Sequence, residues 1–136
     1  MPAAKPEEIG RDGFGDLIGI EYLQMDPEEA RARIEVSGRI LQHVGLVHGG
    51  VYSALAESLC SAATWIAVQG DGMIAMGQSN SATFLRPITK GHVNAVGRAR
   101  HRGRTTWIWD VDITDDDGRL CAVVRMTVAV RDPRPG

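Results

Sequence analysis

Between Arg39 and Asp71 the only formally charged side chain, histidines aside, is Glu57, set in the stretch GLVHGGVYSALAESLCSAATW at residues 45–65. A carboxylate taken out of water is costly unless it is paired, neutralised or used. Its companions at helical spacing are Ser53, Ser61 and Thr64. Such small hydroxyls suit a polar pocket lining better than the Lys, Arg, Glu and Gln of an ordinary solvent face. Just upstream stand His48, Gly49 and Gly50, at what reads as the start of a helix. The backbone N–H groups of a first helical turn are unpaired and carry the positive end of the helix dipole. Glycine lets a ligand carbonyl come close to such donors, and His48 can orient the turn or touch the ligand. The plainer alternatives are a glycine-rich helix entry and a wet helix face.

A carboxylate facing an oxyanion hole can deprotonate water or attack a carbonyl directly. A thioester suits this pair, because a thiolate, whose conjugate thiol has a pKa of about 8.5, departs without strong general-acid help. Gly49 and Glu57 are eight residues apart, about 12 Å along an ideal helix. One chain's helix hardly places both on a single carbonyl carbon. A symmetric dimer in which Gly49 of one chain faces Glu57 of the other resolves the difficulty and yields two equivalent sites.

The elements that must position these groups follow from periodicity. Residues 1–13 read as a loose polar lead-in. FGDLIGIEYLQMD and EARARIEVSGR read as two strands with a turn near Asp26 and Pro27; in the second, Ala30, Ala32, Ile34 and Val36 alternate with charged residues. A helix follows, with Val51, Leu55, Leu59, Ala62 and Ile66 on one apolar stripe, ending near Gly70. Four more strand-like segments come next: MIAMGQSNSATFLRP, GHVNAVGRARH, TTWIWDVDITD and RLCAVVRMTVAVRD. The order β-β-α-β-β-β-β predicts an α+β fold, a largely antiparallel sheet wrapped around one long helix, with the whole of 1–136 as a single domain.

The composition excludes several functions. With 136 residues, 43% hydrophobic and 24% charged, and a net charge of −2, the chain exerts no general attraction on nucleic acid or an anionic membrane. The start has no long apolar segment and no run of about 18 apolar residues occurs, so the expectation is a cytoplasmic protein that is neither secreted nor membrane-spanning. Cys60 and Cys121 read as packed, reduced thiols. His43, His48, His92 and His101 form no ligand spacing, and neither a metal nor another cofactor is expected.

The segment QHVGLVHGGVYSALAESLCS resembles the hotdog-fold acyl-CoA thioesterases. The likeness is to the branch of 4-hydroxybenzoyl-CoA thioesterase of the Arthrobacter type and of the thioesterases of menaquinone and enterobactin pathways, and it runs from about Phe14 to Val130. The resemblance implies that Glu57 is the catalytic carboxylate and that the Gly49 N–H polarises the thioester carbonyl beside His48. It also implies that Gln42 lies near thioester and water and that Ser61 helps hold water. Coenzyme A would then be part of the substrate rather than a cofactor. Its phosphates would meet residues of SNSATFLRP and RARHRGRTT, for which Arg86, Arg102, Arg104 and Thr105 are the candidates. A homodimer with shared sites, assembled further as a dimer of dimers, is the implied assembly.

A hydratase or dehydratase on the same fold, and an acyl-CoA sensor without turnover, are the alternatives. The spacing of Gln42, Gly49, Glu57 and Ser61 speaks against the first, and a lone carboxylate opposite a helix start against the second. Tyr52, Trp65, Met73 and Met76 are candidates to line an acyl pocket, though the sequence does not name the acyl group.

Overall fold

The computed structural model describes residues 9 and 13–134. The expected lead-in, apart from Ile9 and Gly13, lies outside the described residues. Six strands form one sheet: β1 (Ile20–Met25), β2 (Glu29–Glu35), β3 (Ile74–Phe84), β4 (His92–Arg102), β5 (Thr106–Thr114) and β6 (Leu120–Arg131). Two helices, α1 (Phe14–Ile18) and α2 (Gly49–Val68), complete the described residues, with single 3₁₀ turns at Gly38–Ile40 and Gln69–Asp71. All neighbouring strands are antiparallel, in the order β1-β2-β4-β5-β6-β3.

The sheet closes around α2. Inward residues at period two, Ala30, Ala32 and Ile34 on β2 and Trp107, Trp109, Val111 and Ile113 on β5, meet Leu55, Ala56, Leu59, Cys60 and Ala63 of the helix. This makes the α+β hotdog architecture, with the helix as its filling. By length and composition α2 with its following turn resembles a membrane span, yet half of that stretch is buried inside the fold. Its apolarity is accounted for by the sheet.

Two expectations need correction. The segment read as one strand from Phe14 begins instead with a five-residue helix: Leu17 N–H donates to Gly13 O, and Gly19, at φ 86°, ends the turn in the left-handed region that glycine favours. The spacing of Phe14, Leu17 and Ile18 is helical, but one and a half turns are too short to register against the strand that follows. Thr64, placed by its spacing on the polar face, is fully buried. It donates to Cys60 O at 2.7 Å and accepts from Trp109 Nε1 at 3.0 Å, and so satisfies the indole inside the core.

Candidate active site

His48 caps α2. Its Nδ1 accepts from the Gly50 N–H at 2.9 Å, so the proton of the neutral ring sits on Nε2. The Gly49 N–H finds no acceptor among the described residues and remains available at the positive end of the helix. Gly49 is required sterically as well. A Cβ there would lie 2.6 Å from the Phe84 ring, which covers it from β3. Phe84 also packs on Tyr52, with ring centroids 5.6 Å apart. Gly49, Tyr52, Phe84 and Arg86 share an open cleft of about 270 Å³.

Glu57 lies two turns further along, in a different cleft. That cleft, about 420 Å³, is lined by Phe14, Ser53, Ala54, Glu57, Ser58 and Asn80. Within one chain the carboxylate is exposed, not buried, and forms no ion pair or hydrogen bond with the described residues. Its carboxyl rests on the β3 backbone: a Cβ on Gly77 would lie 3.1 Å from the Glu57 Cδ. The β3–β6 register slips between Gly77 and Ser79, and this bulge turns the strand where the carboxylate needs room. Asn80 Nδ2 then donates to Ser53 O at 2.9 Å. In an α-helix that carbonyl also closes the turn on the N–H of Glu57, so β3 is fastened to the turn that carries the acid.

The remaining expected residues divide. Gln42 is half-buried, and its Oε1 accepts from the N–H groups of Val44 at 2.6 Å and Leu46 at 3.3 Å. It shapes the loop before α2 while its Nε2 finds no acceptor among the described residues. Ser61 does not line the Glu57 cleft; its Oγ is buried and without a partner among the described residues. Arg86 lies at the Gly49 cleft. Arg102, Arg104 and Thr105 occupy the β4–β5 turn at the opposite end of the sheet, where Arg102 pairs with Glu28 at 3.4 Å and Thr105 O accepts from the Val130 N–H and Arg131 Nη1. The length of β3, about 33 Å, separates that turn from Arg86. Of the pocket candidates, Tyr52 borders the Gly49 cleft; Trp65, Met73 and Met76 border neither cleft.

Asn80, Gly77, Phe84 and Phe14 were not singled out by sequence reasoning. The sequence signal for Asn80 and Phe84 is the polarity of SNSATF on what should be a core strand; Gly77 lies just before it.

Residues 44–122, which hold the Gly49–Glu57 helix and most of the sheet, match the family model described as thioesterase superfamily. The chain belongs to that superfamily. Among its relatives is PA1618 of Pseudomonas aeruginosa, 40% identical over 120 residues that cover 88% of this chain and 83% of that protein. The proofreading thioesterase EntH of Cronobacter turicensis is 36% identical over 91% of this chain and 92% of its own length. A crystal structure of a mutant of thioesterase PA1618 superposes with a TM-score of 0.89 at 36% identity, covering 95% of both chains. Thioesterase HI1161 of Haemophilus influenzae gives 0.89 at 29% identity, covering 96% of this chain and 92% of that one. As a member of the thioesterase superfamily with the hotdog fold, the chain is a thioester hydrolase. The donor at the helix start and the exposed carboxylate lie in separate clefts of a single chain.

Proposed function

We propose that the protein hydrolyses acyl-CoA thioesters at sites shared by two copies of the chain, with Glu57 as general base or nucleophile and the Gly49 N–H of the partner subunit as oxyanion donor. The observation that carries this reading is the division of the two groups between clefts that both open along β3. That strand is a free sheet edge of eleven residues without a charged side chain, and such an edge invites pairing with another strand. A two-fold axis that runs β3 antiparallel to its copy moves the Phe84 end of one strand toward the Ile74 end of the other. It carries Gly49 toward Glu57, and Arg86 toward the Arg102–Thr105 turn, across the interface. Coenzyme A phosphates held from both chains follow from the same arrangement.

In the proposed reaction the Gly49 N–H draws charge onto the carbonyl oxygen while Glu57 delivers water to the carbonyl carbon or attacks it. The C–S bond then breaks and releases the thiolate; where Glu57 itself has attacked, water hydrolyses the resulting mixed anhydride, releases the acid and restores the carboxylate. The aryl-CoA class with a hydroxybenzoyl-like acyl group is the favoured substrate, the dimer pairs further into a tetramer, and the protein works in the cytoplasm. EntH of Cronobacter turicensis is a proofreading thioesterase by name, which supports thioester hydrolysis as the reaction.

The test is Glu57→Gln. Glu57 is exposed and unpaired, so the variant keeps the fold and binds substrate, while kcat falls at least about a hundredfold, as loss of a general base or nucleophile does. A variant that retains nearly the wild-type rate contradicts the assignment.

A further inference from the structure

The helix α1 buries none of its five residues, with Phe14 63% and Leu17 64% exposed. Helices this short draw their stability from what they pack, not from themselves. Even so, this one is fastened at several points. Leu17 N–H bonds to Gly13 O, the Gly19 N–H to Asp16 O at 3.1 Å, and Arg39 Nη1 reaches across the chain to Leu17 O at 3.2 Å. Gly15 sits so close to β1 that a Cβ would lie 3.3 Å from the Ile20 side chain and 3.7 Å from the Tyr22 hydroxyl. The outcome of this fastening is the placement of one exposed aromatic ring, Phe14, in the Glu57 cleft alongside Ala54 and Ser58.

Resting on the shared-site reading, we infer that Phe14 is a specificity-determining residue, an aromatic wall against which the enzyme holds a compact aromatic acyl group while Glu57 acts on its thioester. The rest of the cleft argues for the kind of group. Apart from Phe14 and Ala54 it is lined by Ser53, Ser58, Asn80 and Glu57 itself. A long alkyl chain laid there would strip water from these polar groups without replacing their hydrogen bonds. A planar ring places its face on Phe14 and Ala54 and turns its edge, with any hydroxyl it carries, to the serines. Ser58 is itself held in place: the Tyr22 phenol lies against it, and burial pushes the pKa of that phenol up, with the Ser58 contact acting in the opposite direction.

The experiment compares kcat/KM for benzoyl-CoA and for butyryl-CoA in wild type, Phe14→Ala, Phe14→Tyr and Glu57→Gln, with the oligomeric state of each measured by sedimentation. The inference predicts a wild-type preference for the benzoyl substrate that drops about tenfold in Phe14→Ala, the scale of a lost aromatic contact in a specificity pocket, and that Phe14→Tyr largely keeps. An unchanged ratio in Phe14→Ala, an equal loss on both substrates, a wild type without benzoyl preference, or a Phe14→Ala protein that falls to monomers overturns it. Failure of the Glu57 assignment on which the inference rests looks different: hydrolysis is then absent in wild type or persists in Glu57→Gln.

Discussion

At one edge of the sheet, β1 runs for six residues, slips register between Tyr22 and Gln24, and carries Glu21 tied to Arg33 by a 2.8 Å ion pair; at the other, β3 runs for eleven residues without a charge. Short length, a bulge and charge are the features that keep an edge strand from pairing with another chain. β1 has all three and is flanked by α1. β3 has a bulge, but at Gly77, where it serves the Glu57 carboxylate. The strand left open is also the strand that touches both Glu57 and Gly49: Gly77 against Glu57, Asn80 on the Glu57 turn, Phe84 over Gly49. On the proposed shared-site reading, the unprotected edge and the division of the two groups between clefts are one feature, and each explains the other.

The comparison is broken most directly by charging the two edges in turn. Ser79→Lys on β3 places like charges near each other across a two-fold interface, which costs several kcal/mol at a contact. Association should weaken at least about tenfold, and activity per chain should fall with it at dilute concentration. Leu23→Lys on β1 should leave both unchanged. Sedimentation and kcat/KM measured over the same dilution series check this, and equal effects at both edges would remove β3 from the assembly. A smaller effect sharpens the account of the far turn. Arg104, exposed and without an ion pair among the described residues, is free to meet a phosphate, whereas Arg102 already faces Glu28. Arg104→Ala should raise KM for acyl-CoA by a few-fold and leave the short N-acetylcysteamine thioester unaffected. Equal losses on both substrates would place Arg104 outside the coenzyme A site.

Much of this was legible in the sequence, for physical reasons. Period-two alternation at Trp107, Trp109, Val111 and Ile113 and helical spacing at Val51, Leu55 and Leu59 reflect burial directly, so β5 and α2 could be read from one segment each. The separation of Gly49 and Glu57 needed only the rise of a helix. What could not be read depends on partners distant in sequence. Thr64 reads as pocket lining until Trp109, 45 residues away, is seen to donate to it. Ser61 shares a helix face with Glu57, yet its hydroxyl is shut inside. Asn80 and Phe84 gain meaning only from the sheet order, which sets β3 beside β6 at an edge instead of in the middle. Phe14 was hidden by the brevity of α1.

The central claim, that each site draws Gly49 from one chain and Glu57 from the other, is tested by mixing two inactive proteins. One is Glu57→Ala. The second is Gly49→Pro, which removes the oxyanion N–H at a helix position that tolerates proline, combined with Phe84→Ala to clear the ring that lies 2.6 Å from any Cβ at Gly49. After subunit exchange at equal amounts, each mixed dimer holds one site with an intact glycine facing an intact glutamate. The account predicts recovery of about a quarter of wild-type activity per total chain. Mixtures that exchange subunits and remain inactive would show that each site carries one lesion or the other, and so that both groups come from a single chain.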